Sequence, residues 1–92
     1  MNLSELKEKF KDVSPDRTLV NNLEIEATIR NITNHWIILD DGTEQLEAVT
    51  SKQAIYEHLK NIATKKNIVR LKGRLDKTEF GNIAFSIQEI LE

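Results

Sequence analysis

The chain of 92 residues contains no cysteine, one proline and three glycines. Without cysteine, a disulfide framework, a Cys-based zinc site and a Cys nucleophile are all excluded. The sequence also lacks an apolar run near the ~20 residues that a membrane-spanning helix requires, and its first residues lack the basic start and apolar core of a signal peptide. We therefore expect a soluble, cytoplasmic protein that is stabilised by packing alone.

The net charge is small, but the charged residues are unevenly distributed along the chain. Charged residues make up 30% of the chain, and the formal net charge is −2, whereas nucleic-acid-binding proteins usually carry a basic excess. Residues 60–77, however, contain seven Lys and Arg against one Asp. Because a chain of this length suits one domain, the basic segment belongs to that domain and keeps nucleic acid among its candidate partners.

Two segments show the spacing of amphipathic helices. A thin apolar stripe begins at Ser4 and ends before Pro15, which predicts a short helix. We interpret residues 1–15 as an N-terminal helical extension that covers one end of the core; a linker or partner helix from a larger protein is the alternative. A second pattern predicts a helix between Ser51, as its cap, and Asn67, where it stops.

Five segments show the alternation of apolar and polar residues that is typical of half-buried strands. They are residues 18–32, 35–39, 46–50, 68–75 and 83–87. The Asp41-Gly42 pair predicts a hairpin between the second and third strands. Five short strands with one helix between the third and fourth can close into a barrel, which removes exposed edges. Gly73 fits either a curved strand with a close neighbour or a tolerated small residue.

This order of elements resembles the oligonucleotide/oligosaccharide-binding (OB) fold, an all-β, five-stranded Greek-key barrel with a helix between strands 3 and 4. The resemblance rests on the runs IILDDGTEQLEAV and NIVRLKGRLDKTEFGNIAFSIQEI. They look most like the single-stranded-DNA-binding barrels of replication protein A and the barrels attached to replicative polymerases and aminoacyl-tRNA synthetases. The resemblance implies an OB-fold domain over residues 16–92 and single-stranded nucleic acid as its partner.

Two aromatic side chains are candidates for base stacking. If Ile37 and Leu39 fill the barrel, Trp36 and Ile38 must point outward, because side chains alternate along a strand. The resemblance implies that bases lie on this outer face, although Trp36 could instead cover a barrel end or pack on the N-terminal helix. Phe80 is expected in the loop between strands 4 and 5, where it clamps a base or tucks back onto the core.

Basic and polar side chains supply the other predicted contacts. These residues are Arg30, Asn34, His35, Arg70, Lys72, Arg74 and Lys77. Three of them alternate along strand 4 and would place positive charge at intervals of roughly 7 Å, with a solvated edge strand as the alternative. Asn34 and His35 lie in the loop after strand 1, and Lys77 is expected in the loop between strands 4 and 5.

No residue pattern indicates catalysis, a metal site or a cofactor. We predict a module that binds single-stranded nucleic acid, DNA in preference to RNA, and serves replication, repair or recombination; it would be nucleoid-associated if it binds DNA. A protein-interaction barrel of a larger complex remains an alternative, supported by Glu26 and Glu47 on predicted outer faces. A tRNA-binding barrel is the third hypothesis.

Overall fold

The computed structural model describes residues 2–63 and 68–91. Within them the order of elements is the predicted one: helix, three strands, helix, two strands. The elements are α1 (Leu3–Phe10), β1 (Arg17–Ile32), β2 (Ile37–Asp40), β3 (Gln45–Val49), α2 (Gln53–Ala63), β4 (Ile68–Lys77) and β5 (Ile83–Ile90). The predicted helix stop at Asn67 lies outside the described residues. Neither described helix is long and apolar enough to cross a membrane.

The five strands form one closed barrel in the order β1-β2-β3-β5-β4, with β4 returning to β1. Neighbouring strands are antiparallel except β3 and β5, which are parallel. The interpretation of β4 as a solvated edge strand is therefore wrong, since β4 lies between β1 and β5. The architecture confirms the predicted fold class and is compatible with an OB-like fold.

The barrel interior is filled by alternate side chains of the strands, as the sequence pattern predicts. Ile37 and Leu39 of β2 are buried, and so are Leu46 and Ala48 of β3. Leu59 of α2 packs into the same core, so that α2 covers one end of the barrel. Burying a Leu or Ile side chain contributes about 1.5–3 kcal/mol, so these positions account for much of the fold's stability.

Gly73 is required by a close approach of two strands. A Cβ atom at this position would lie 2.0 Å from the backbone oxygen of Ser86 on β5, well inside van der Waals contact. The structure confirms the prediction of a close neighbour.

The N-terminal helix begins one residue earlier than predicted, because Asn2 provides a better cap than Ser4. The Asn2 side chain accepts a hydrogen bond from the Glu5 amide (2.8 Å), and the Glu5 carboxylate accepts one from the Asn2 amide (3.2 Å). This reciprocal arrangement is a capping box. Leu3 and Leu6 are buried in the same core as the strands, so α1 covers the barrel as expected.

Side chains of the barrel hold both ends of α1. At its start, a carboxylate oxygen of Asp41 accepts a hydrogen bond from the Leu3 amide (2.8 Å). At its end, the Lys77 ammonium donates to the carbonyl oxygens of Phe10 (2.7 Å) and Lys11 (2.8 Å). The predicted place of Lys77 in the loop is therefore wrong. It is the last residue of β4, only 5% exposed, and its charge is used within the fold.

Candidate nucleic-acid interface

The strand register places four outward side chains in one row across the sheet. Val49 is paired with Ser86, and Ser86 with Arg74. Ile37 is paired with Ala48, so Trp36, the residue before Ile37, lies opposite Val49, the residue after Ala48. Trp36 and Val49 also line the same cavity. At about 4.8 Å per strand, the row extends roughly 14 Å. We call Trp36, Val49, Ser86 and Arg74 the outer row.

The outer row begins with exposed apolar surface. Trp36 is 47% exposed and Val49 40% exposed, which confirms the predicted outward orientation of the tryptophan. Ile38, two residues further along the strand, also points outward and is half-buried. The ring of His35 lies 6.2 Å from that of Trp36, centroid to centroid, at an interplanar angle of 45°. Flat side chains open to solvent are what base stacking requires.

The loop that carries Trp36 has a fixed backbone. The Thr33 hydroxyl accepts hydrogen bonds from the amides of His35 (3.2 Å) and Trp36 (3.1 Å), and the Trp36 carbonyl accepts one from the Thr33 amide (2.9 Å). The Tyr56 hydroxyl of α2 donates to the Thr33 carbonyl. The indole is therefore presented to solvent from a braced turn.

Sequence reasoning missed both bracing residues. Thr33 has a recognisable signal, since a Thr hydroxyl commonly bonds backbone amides two or three residues ahead in a turn. Tyr56 has no local signal, because its partner is distant in sequence and only the fold brings them together.

Phe80 is the most exposed large hydrophobic residue of the described chain, at 82%, so it does not tuck back onto the core. It lies in the turn between β4 and β5, closed by the Thr78 amide, which donates to the Asn82 carbonyl (2.7 Å). The register places this turn beside the start of β3, whereas Trp36 lies beside its end. The two positions along β3 are about 13 Å apart. The structure therefore does not bring the two predicted stacking residues together.

The basic side chains of β4 are interleaved with carboxylates from neighbouring strands. Arg70 is paired with Glu26 of β1, and Lys72 lies between Glu24 of β1 and Glu89 of β5. Opposite charges at paired positions stabilise a sheet by about 0.2–1 kcal/mol each. The stripe of positive charge predicted from the sequence is therefore largely compensated at these two positions.

Two arginines form ion pairs and remain exposed. Nε of Arg74 lies 3.0 Å from a carboxylate oxygen of Asp76, and Nε of Arg30 lies 3.6 Å from one of Asp40. A guanidinium has five N–H donors, so a single ion pair orients each side chain and leaves donors for phosphate. Asn34 is exposed as well and lines the cavity beside Trp36.

The acidic turn between β2 and β3 has a structural role. Burial raises the pKa of Asp41, but hydrogen bonds from the Thr43 hydroxyl and from three backbone amides outweigh it and lower the pKa from 3.8 to about 2. Across residues 2–63 and 68–91, no group of three or more His, Asp or Glu side chains could hold a metal ion.

Comparison with known proteins does not assign a family, since no protein-family model and no curated protein matches the sequence. The chain is a small closed β-barrel with an OB-like arrangement of elements. Its outer face carries one braced, exposed tryptophan.

Proposed function

We propose that this barrel binds single-stranded nucleic acid, DNA in preference to RNA, without strong sequence preference. The observation that carries the proposal is Trp36, which is half-exposed on a braced turn at the start of the outer row. A tryptophan in the core would be held by packing, without a hydrogen-bonded turn to fix its backbone. Stacking of a base on an aromatic side chain contributes about 1–3 kcal/mol. Such binding would serve replication, repair or recombination.

The proposed contacts keep most of the residues predicted from the sequence. Bases stack on Trp36 and contact Ile38, while Asn34 and His35 line the rim. Arg30 and Arg74 contact phosphates. Arg70, Lys72 and Phe80 are left out of the proposed contacts, the first two because carboxylates flank them and Phe80 because it lies at the other end of the face. Lys77 is removed from the set.

The experiment is titration of the protein with a short, fluorescently labelled oligo-dT at low salt, followed by anisotropy. Trp36→Ala should weaken binding by about 5- to 150-fold, the equivalent of one lost stacking contact, and Trp36→Phe should retain most of the affinity. Emission of Trp36 should be quenched by unlabelled oligo-dT and recover as salt rises. The matched control is Ile68→Ala, because Ile68 is an exposed apolar residue at the start of β4, away from Arg74 and the outer row.

Two results would count against the proposal. Folded wild-type protein that leaves anisotropy unchanged at high micromolar concentration does not bind single strands. Equal affinities of Trp36→Ala and Ile68→Ala would show that stacking on Trp36 is not involved. Titration with oligo-U in place of oligo-dT tests the preference for DNA, since tighter binding of RNA would reverse it.

A second candidate function is protein–protein association, which a cleft between α1 and β1 favours. The cleft has a volume of about 850 Å³ and combines apolar Phe10, Leu23 and Ile68 with acidic Glu24 and Glu26. Self-association in sedimentation velocity, abolished by Ile68→Lys in a folded protein that does not bind oligo-dT, would favour this function. Deletion of α1 is not a clean test, because that helix contributes to the core.

A further inference from the structure

A second cavity adjoins the Trp36 cavity on the other side of Val49. The Trp36 cavity is bounded by the loop before β2 and by the start of α2. The second cavity, of about 270 Å³, lies between the β3–α2 loop, β5 and Arg74. The two cavities share three wall residues, which are Val49, Thr50 and Ser51. A ligand in one cavity would therefore lie next to the other.

Two cationic side chains line the second cavity. Lys52 is exposed, and its ammonium reaches across to the carbonyl oxygen of Gln88 on β5, 3.5 Å away. Arg74 approaches from β4 and is oriented by its ion pair with Asp76. Ser86 of the outer row lines the same cavity, and its hydroxyl can donate a hydrogen bond. Two cations and a hydroxyl group around one cavity suit a phosphate group.

Charge differs sharply between the outer row and the next row of outward side chains. The outer row contains no carboxylate. The next row consists of Ile38, Glu47, Ala84 and Asp76, as the strand register shows. Two carboxylates therefore lie between the outer row and the turn that carries Phe80. A nucleic-acid backbone that followed β2 and β3 from Trp36 toward Phe80 would pass over Glu47, whereas the carboxylate of Asp76 is paired with Arg74.

We propose that the second cavity binds a phosphate of the strand whose base stacks on Trp36. The strand would then cross β3 and β5 along the outer row toward Lys52 and Arg74, instead of following β2 and β3 toward Phe80. This inference rests on the proposed function and adds Lys52 and Ser86, neither of which the sequence pattern singled out.

The experiment compares the salt dependence of oligo-dT binding among single variants. Lys52→Ala and Arg74→Gln should each weaken binding several-fold at low salt and flatten the slope of log K against log salt by about 0.7, the value expected for one lost phosphate contact with a single strand. Lys72→Ala is the matched control, because it removes a cation of β4 that lies between two glutamates. It should leave the slope unchanged, and so should Phe80→Ala.

Removal of Arg74 also leaves Asp76 without its partner, which could weaken binding by repulsion alone. The double variant Arg74→Gln/Asp76→Asn separates the two effects. It should keep the flattened slope, and Asp76→Asn alone should bind at least as tightly as the wild type. A double variant that binds with the wild-type slope would overturn the role of Arg74.

The outcomes distinguish this inference from the proposed function. If the wild-type protein does not bind oligo-dT, both fail. If it binds and Trp36→Ala weakens binding, while Lys52→Ala and Arg74→Gln keep the wild-type slope, the proposed function stands and the path across β5 is wrong. A flattened slope in Lys72→Ala or a several-fold loss in Phe80→Ala would also contradict this path.

Discussion

Replacement of Lys77 by methionine tests the correction that the structure makes to the sequence-based interpretation. The Lys77 ammonium is buried and donates to the carbonyl oxygens of Phe10 and Lys11 at the end of α1. Methionine keeps an unbranched apolar stem of similar length, so the change removes the charge and its hydrogen bonds with little loss of packing. We expect the variant to fold with reduced stability and unchanged nucleic-acid binding.

The expected loss follows from two opposing terms. A hydrogen bond to a charged group contributes about 1.5–3 kcal/mol, and Lys77 makes two. Removing the buried ammonium relieves its own desolvation cost, which is often several kcal/mol. In addition, water can reach the freed carbonyls in part, because Lys11 is exposed and Phe10 is only partly buried. We therefore expect a net loss of about 2 kcal/mol, within a range of roughly 1–3 kcal/mol.

Urea denaturation and thermal melting measure this loss. With a slope near 1 kcal/mol/M, a loss of about 2 kcal/mol lowers the urea midpoint by about 2 M, and the melting temperature of a domain this size falls by about 8–16 °C. Lys60→Met is the control, since Lys60 is exposed on α2 and its ammonium lies over the Tyr56 ring, a contact that contributes about 0.5–1 kcal/mol at a surface site. Equal midpoints for the two variants would refute the role of Lys77 in holding α1. A flattened salt slope of oligo-dT binding in Lys77→Met would show that this ammonium contacts phosphate after all.

Three further changes probe other contacts. Gly73→Ala should destabilise the barrel by about 3 kcal/mol, because its Cβ would press against the Ser86 carbonyl and force β4 and β5 apart; a urea midpoint like that of the wild type would contradict this. Asp41→Asn should cost roughly 1 kcal/mol at neutral pH, after allowance for partial exposure. The low pKa of Asp41 in the folded state stabilises the protein above pH 3.8, and this contribution is lost as pH falls toward about 2. The drop in urea midpoint on acidification should therefore be smaller in Asp41→Asn than in the wild type. Tyr56→Phe should cost about 1 kcal/mol and loosen residues 33–36, which would be seen as lower anisotropy of tryptophan emission; unchanged emission and stability would argue against the brace.

Most of the barrel could be predicted from the sequence because strand patterns are local. Alternation of apolar and polar residues identified all five strands, and Asp41-Gly42 identified the hairpin turn between β2 and β3. The outward orientation of Trp36 followed from the same alternation. The start of α1 was misplaced because the pattern began at Ser4, whereas Asn2 and Glu5 form the cap.

Lys77 shows that the alternation on β4 extends further than the predicted strand. Inward positions on β4 are odd-numbered, and the alternation that buries Val69 and Leu75 continues to position 77. A charged residue in a polar run is typical of the start of a loop, so the sequence predicts a strand that ends before Lys77. Pairing of Lys77 with Arg17 extends the strand, and the carbonyls of α1 make burial of the ammonium tolerable, which no local pattern reveals.

The charge of the candidate interface could not be predicted, because charges that are adjacent in sequence are not those that are adjacent in space. Residues 60–77 contain seven Lys and Arg, yet β1 and β5 place glutamates beside the basic side chains at positions 70 and 72. Lys52, by contrast, belongs to an acidic part of the sequence but shares a cavity with Arg74. Three proposed phosphate contacts, from Lys52, Arg74 and Arg30, predict a slope of log K against log salt of about −2.1, shallower than the value of about −3.5 that five such contacts would give. A shallow salt slope is therefore expected if phosphates meet only the cations that the folded barrel leaves available. A steep slope would mean that the basic residues clustered in the sequence all contact phosphate.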